Sequence, residues 1–416
     1  MHAVRVLRTA VAAALAAGLA TTALAVPAMA AMAAPTAQSA PAARPAPAAH
    51  AATQQALDKA VAEGVPGALA AARDGKGRWS GAAGERGADD RFRVGSITKT
   101  FTATVLLQLQ AEGRLDLDDT VEKWLPGVVR GHGNDGRKVT VRRLLNHTSG
   151  IYSYTNDPAF QTMVFGPEFM ENRYDTWTNE QLVGVAMSHR PDFAPGTSWT
   201  YSNTNFVLAG MIIEKVTGRS YEEEVGRRII KPLGLRATRA PGTDPRMPRP
   251  HSGAYSKLAR TTDGPTYEVG ELNPSIAGAA GEIVSDAGDL QTFVRALLTG
   301  RLLPSAALKE MKDTVATDMG PEVRYGLGII RQELSCGTVV WGHSGGIHGS
   351  TSEARVTEDG RHSLAANFNA DWTGDIGAPV EAEFCGTNAK PDKTAKTAKA
   401  AKAAMADSLA AFGVKN

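Results

Sequence analysis

Thr338-Val-Val-Trp-Gly-His-Ser-Gly-Gly-Ile-His-Gly-Ser-Thr-Ser-Glu-Ala-Arg-Val356 is the stretch whose reading decides the fold. Thr338 to Trp341 is β-branched and aromatic, a composition that suits a strand. Glycines punctuate the middle, and Ser350 to Val356 resumes a strand-like texture. Tyr325 to Ile330 before this stretch and Ser363 to Asn367 after it carry the same texture. Residues 324–369 therefore read as successive short strands joined by tight turns. Outward from there the pattern changes. Residues 281–300 hold Leu290, Phe293, Val294, Leu297 and Leu298 at helical spacing before Gly300. Phe206 to Val216 is an apolar helix stopped by Gly218. Ser96 to Glu112 is a strong amphipathic helix stopped by Gly113, and residues 54–64 read as another helix. Val65 to Gly84 suits two strands. Helices first and strands late predict an α/β (α+β) fold, an antiparallel sheet flanked by helices. Residues 114–235, rich in helix signals and breakers, read as a helical insertion.

The whole chain has 416 residues, 43% hydrophobic and 21% charged, which is ordinary for a folded protein. A net charge of +2 argues against a nucleic-acid binder. Arg5 and Arg8 are the only charges in residues 1–30. Ala10 to Val26 is uncharged and apolar, and Ala28-Met29-Ala30 offers a small-residue cleavage site, so 1–30 reads as a signal peptide. The run is too weakly hydrophobic for a membrane anchor. The mature protein is thus expected to be secreted, extracellular or wall-associated, and monomeric. Residues 31–53 read as an Ala/Pro-rich flexible leader, 54–385 as the folded body and 386–416 as a Lys/Ala-rich tail. That tail suits a solubilising extension or contact with anionic wall polymers. Cys336 and Cys385 are the only cysteines, and in an exported chain they are expected to pair.

Three motifs carry chemistry. Ser96-Ile-Thr-Lys99 opens the Ser96 to Glu112 helix. Positions i and i+3 share a helix face, so the amine reaches the hydroxyl. A serine needs a base to become nucleophilic, and a desolvated lysine can serve. The competing reading makes Ser96 a plain helix cap. Tyr201-Ser-Asn203 sits between the Pro195-Gly196 turn and the Phe206 helix, where a tight loop can aim a phenol and an amide. Tyr154-Thr155-Asn156 is its rival. His343-Ser344-Gly345, followed by Gly346, ends an apolar strand, where free N–H groups can face an oxyanion. His251-Ser-Gly253 is a decoy in a loop without strand character.

Gly342-His-Ser344-Gly-Gly346 also fits the G-x-S-x-G nucleophile elbow of α/β-hydrolases. That elbow leads into a helix, whereas strand texture follows here, and too few residues remain for the missing units. Asp116, Asp118 and Asp119 read as caps of a short helix rather than a cation site. His147 reads as a turn residue bonded to backbone. No metal-ligand spacing and no phosphate loop appear, so neither metal nor cofactor is expected.

Taken together, Ser96-x-x-Lys99, Tyr201-Ser-Asn203 and His343-Ser-Gly345 resemble the serine D-alanyl-D-alanine carboxypeptidase and class C β-lactamase superfamily, the penicillin-recognising serine hydrolases. Val141 to Gly150, Tyr152 to Asp157 and Tyr325 to Leu334 extend the likeness, and the His-x-Gly form is similar to a secreted Gram-positive DD-peptidase subgroup. The resemblance implies a mostly helical subdomain beside the sheet with the active site between them, and an acyl-enzyme on Ser96, with Lys99 and Tyr201 sharing acid/base work. It implies substrate binding by Asn203, His343, Ser344, Gly345 and Thr155, and an oxyanion hole at the N–H groups of Ser96 and Gly346. The implied substrate is a peptidoglycan stem peptide ending in D-Ala–D-Ala, with β-lactams as inhibitors. A β-lactamase or an esterase on the same scaffold is the alternative, and a non-catalytic peptidoglycan-binding or β-lactam-sensing module is a further one. Two departures stand out. The subgroup has an arginine thirteen residues before the histidine to hold the substrate carboxylate; Ile330 stands there, and Arg331, next to it, is taken as the substrate-binding residue in its place. An aromatic cleft residue ahead of Ala280-Gly281 is replaced by Ile276.

Overall fold

The computed structural model describes residues 50–166, 168–258 and 264–386. The expected signal peptide, most of the expected leader and the Lys-rich tail beyond Gly386 lie outside the described residues.

An eight-stranded, wholly antiparallel sheet forms the frame. Its strands are β1 (Gly67–Asp74), β2 (Gly77–Gly84), β3 (Val315–Ala316), β4 (Val323–Tyr325), β5 (Ile330–Glu333), β6 (Val339–Ile347), β7 (Ser350–Thr357) and β8 (Ser363–Phe368), in the order β2-β1-β8-β7-β6-β5-β4-β3. The quoted stretch is the β6–β7 hairpin, in register from Val340 opposite Thr357 to Ile347 opposite Ser350. Ser344 thus lies within a strand that turns back into another strand, which removes the elbow reading.

Both faces of the sheet are covered, and the sequence of β1 shows how. Ala68, Ala70 and Ala72 turn to one face and Leu69 and Ala71 to the other, following the strand's period of two. Helices α1 (Ala51–Ala62) and α5 (Ala378–Cys385) cover the first face with Leu57, Ala60 and Val380. Helices α2 (Thr98–Ala111) and α4 (Ala287–Leu298) cover the second with Phe101, Val105, Leu290, Phe293 and Val294. The helical subdomain is built around α3 (Asn203–Thr217). Its residues Thr204 to Ile213 are all buried, and Gly218 ends it in a left-handed conformation at φ 70°. An all-round buried helix of this kind fixes whatever stands at its first turn.

Two sequence boundaries need correction. The leader does not run to residue 53. His50 and Thr53 are buried, and both bond the carboxylate of Glu383 in α5, at 3.0 and 2.5 Å. Composition could not reveal this, since the partner lies more than 300 residues away. The short helix after Asp119 is capped by Thr120, whose hydroxyl accepts from Lys123 N–H; Asp119 instead binds Lys123 Nζ and Trp124 Nε1. Cys336 and Cys385 are joined, with their Cα atoms 5.7 Å apart, which ties the turn before β6 to α5.

Candidate active site

Ser96 sits in a single 3₁₀ turn, Gly95–Ile97, that runs into α2. Gly95 has φ 54°, and a Cβ on it would lie 2.6 Å from the Gly346 nitrogen. A Cβ on Gly345 would overlap the Val94 carbonyl oxygen and lie 3.2 Å from the Ser96 nitrogen. Bare backbone at these two positions is what lets β6 lie against the nucleophile's turn. β5 pairs with β6 only as far as Gly342, so His343 to Ile347 has one edge unclaimed by that strand. Ser96 is half-exposed at this edge. The N–H groups of Ser96 and Gly346 therefore stand on neighbouring backbones, where an oxyanion hole requires them.

Lys99 is fully buried. Its Nζ lies 2.7 Å from Asn203 Oδ1, 2.7 Å from the Ala280 carbonyl and 3.0 Å from Ser96 Oγ. The first two partners only accept. A neutral amine gives them its two hydrogens and turns its lone pair to the Ser96 hydroxyl. Burial pushes the amine well below the usual lysine range, which favours this neutral form. The i, i+3 spacing read from the sequence thus places an amine beside the serine hydroxyl.

Asn203 is the first residue of α3. Its Nδ2 donates to Thr155 Oγ1 at 3.0 Å, and its backbone N–H donates to Ser153 Oγ at 3.1 Å. Ser153 and Thr155 also bond each other at 2.8 Å. Thr155 is therefore a holder of the Asn203 amide, which it orients toward Lys99. Tyr201 packs its ring 4.9 Å from Lys99 Nζ and 4.3 Å from the His147 ring. Its hydroxyl is buried and makes no hydrogen bond with the described residues. Burial raises this phenol, and the nearby Ser96 hydroxyl offsets the rise only in part. In the resting site it is a protonated acid.

A buried chain of hydrogen bonds runs behind Tyr201. His147 Nδ1 accepts from Ser202 N–H and Asn205 Nδ2, at 3.2 and 3.1 Å. Its proton must then be on Nε2, which donates to Tyr325 Oη at 3.2 Å. Tyr325 donates onward to His343 Nε2 at 2.8 Å, and His343 Nδ1 donates to the Ser344 carbonyl at 2.5 Å. Every polarity in the chain follows from its two ends. Both histidines are thereby held neutral. Burial lowers His343 to about 3 and His147 well below its ordinary value. His147 does bond backbone at a turn, at φ 62°, as its sequence setting implies. Its link to His343 through Tyr325 was not visible, because those residues meet only in the folded chain. Ser344 is half-exposed. The decoy Ser252 is bound to Asp90 and the Glu85 carbonyl, in a separate loop.

Arg331 needs correction as a substrate-binding residue. Ile330 belongs to the cluster of Trp199, Val323 and Tyr325 against which Tyr201 packs. Successive strand residues face opposite ways, so Arg331 points away from that cluster, toward Glu333 at 3.8 Å. The replaced aromatic, Ile276, is buried, and its carbonyl accepts from Tyr154 Oη at 2.7 Å. Among the described residues no group of His, Cys, Asp and Glu is placed to hold a metal ion.

Comparison with known proteins places this geometry. A family model described as Beta-lactamase matches residues 50–374. The chain is 30% identical over 275 residues to penicillin-binding protein 4* of Bacillus subtilis, covering 62% of this chain and 56% of that one. It is 31% identical over 236 residues to penicillin-binding protein 4 of Amycolatopsis lactamdurans, covering 55% and 58%. The chain thus spans little more than half the length of these relatives. Among solved structures, a D-stereospecific amidohydrolase from Streptomyces sp. is 71% identical with a TM-score of 0.80, covering 81% of this chain and 99% of that one. The D-amino acid amidase of Ochrobactrum anthropi SV3, complexed with L-phenylalanine amide, is 28% identical with a TM-score of 0.69, covering 86% and 99%. The matched region contains Ser96, Lys99, Tyr201, Asn203 and His343, and the chain belongs to the beta-lactamase family of penicillin-binding-protein-like serine hydrolases.

Proposed function

We propose that this protein is a D-stereospecific serine amidohydrolase that cleaves amides of D-amino acids or short D-peptides through an acyl-enzyme. One observation carries the reading. Among the described residues, the position where the resembling subgroup carries an arginine for a peptide's terminal carboxylate has no cation. Ile330 fills the position expected for arginine, and His343 is fixed as a neutral imidazole. An amide or amine leaving group asks for no such cation. The 71% identity to a D-stereospecific amidohydrolase points the same way.

In the proposed mechanism the Ser96 hydroxyl gives its proton to the Lys99 amine as Oγ attacks the substrate carbonyl. The N–H groups of Ser96 and Gly346 hold the oxyanion. Such a donor is worth about 3–4 kcal/mol in related chemistry. The Tyr201 phenol delivers a proton to the departing nitrogen and recovers one from Lys99. The C–N bond breaks, leaving an ester on Ser96. Water then attacks that ester with the same groups reversed, releasing the D-acid and restoring the hydroxyl. The N-terminal segment supports export, so the enzyme is proposed to act outside the cytoplasm.

The family motifs favour a second reading, the D-Ala–D-Ala carboxypeptidase inhibited by β-lactams. Turnover of D- and L-phenylalanine amides beside a D-Ala–D-Ala peptide separates the two. The proposal expects the D-amide to be cleaved far faster than either other substrate. Preference for the D-Ala–D-Ala acid, with a lasting penicilloyl adduct on Ser96 after benzylpenicillin, would favour the carboxypeptidase.

A further inference from the structure

A second charged feature lies apart from the Ser96 cleft. Arg73 and Arg78 stand directly opposite each other across the β1–β2 hairpin. With Arg295 of α4 and Arg301 just beyond it they line a cavity of about 280 Å³, together with Thr292 and Thr299. Like charges placed opposite each other on a hairpin are destabilising. Asp359 offsets Arg295 only in part. Among the described residues none of the four forms an ion pair. Asp359 is held by Arg361 at 2.6 Å, and Asp74 accepts the N–H groups of Lys76 and Gly77. Arg295 is partly desolvated and feels Arg73 and Arg78, which together lower its pKa. A helix C-terminus favours cations and so accounts for Arg295 and Arg301. It does not account for a facing arginine pair on the neighbouring hairpin.

We propose that this cavity binds a phosphate group, either as free inorganic phosphate or as a phosphodiester of an anionic polymer. Guanidinium forks match phosphate oxygens in pairs, and a concave site lined by one sign of charge concentrates its counter-ion. The Thr292 and Thr299 hydroxyls donate to the Gly288 and Arg295 carbonyls, so the guanidinium groups are the donors for the phosphate.

The test is the melting temperature of the whole protein at fixed ionic strength, with chloride exchanged for inorganic phosphate or for a glycerol phosphate oligomer. At a hundredfold excess over the dissociation constant, phosphate should raise the melting temperature by several degrees. Arg73→Gln/Arg295→Gln should lose that rise. The exposed pair Arg78→Gln/Arg301→Gln should lose most of it and gives a second variant if the first folds poorly. Both should keep Ser96-dependent hydrolysis and melt no lower than the parent in chloride, since repulsion is relieved. A response to phosphate alone identifies the free ion as ligand; a response to the oligomer alone identifies the polymer. Equal melting temperatures in phosphate, oligomer and chloride, or a rise retained by both variants, would overturn the proposal.

Discussion

Ile330→Arg is the sharpest probe of substrate choice. Ile330 is 5% exposed and packs on Trp199, Val323, Tyr325 and Met319. The quantity to measure is a ratio: kcat/KM for a D-Ala–D-Ala peptide ending in the free acid, divided by kcat/KM for the same peptide ending in an amide. In the native cleft the acid's charge loses water and gains no cation, so the ratio should lie below one. A guanidinium at position 330 offers the acid a charge-assisted hydrogen bond of about 1.5–3 kcal/mol. At 1.4 kcal/mol per decade that raises the ratio roughly 10- to 150-fold. The change also removes a buried apolar side chain, about 1.5–3 kcal/mol, and places a charge among apolar groups. The variant should therefore melt earlier. The ratio is internal to one protein sample, so a reduced folded fraction cancels. Ile330→Met, similar in length and uncharged, should leave it unchanged. A native enzyme that prefers the acid tenfold, with no gain in Ile330→Arg, would refute the reasoning from charge.

Ser96→Ala should abolish hydrolysis, by several orders of magnitude in kcat, whereas Ser344→Ala should only weaken it; the reverse result would make Ser344 the nucleophile. Activity should fall as pH drops through the lowered pKa of Lys99, and the acid limb of the profile should vanish in no variant that keeps this amine. A buried neutral lysine takes up a proton on unfolding below pH about 10.4, so it costs stability as pH falls from there toward its folded pKa. The melting temperature of Lys99→Met relative to the parent should accordingly rise as pH is lowered from 10 to 7, and a flat difference would count against a neutral amine. Gly345→Ala, whose Cβ overlaps the Val94 carbonyl, should lose about 1–3 kcal/mol and most activity, read by melting and by turnover. Reduction of Cys336–Cys385 should lower the melting temperature by several degrees, since the closed loop of this length is worth about 4 kcal/mol in the chain-entropy picture.

The legible parts of this protein were the local ones. Hydrophobic period, glycine stops and the i, i+3 spacing of Ser96 and Lys99 are all written within a few turns of chain. So the late strands, α2, α3 and α4, and the Ser96–Lys99–Asn203 grouping could be read before the structure. What escaped depends on distant partners or on phase. The His50–Glu383 contact made a helix start where composition suggested a leader. His147 and Tyr325 are 178 residues apart, and only folding shows that they fix the protons of His343. Arg331 was misread because a single sequence does not say which face of β5 looks into the cleft.

The unclaimed edge of β6 has a geometric consequence. A substrate laid along it as an added strand has its backbone direction set by main-chain hydrogen bonds. Once that direction is fixed, mirror-image residues throw their side chains to opposite sides of the edge. One side is closed by the Gly95–Ile97 turn, which β6 already touches with bare backbone. Handedness in such a cleft is then a matter of which side has room. Changing the preferred enantiomer calls for moving a wall, while Ser96, Lys99 and the two N–H groups stay where they are.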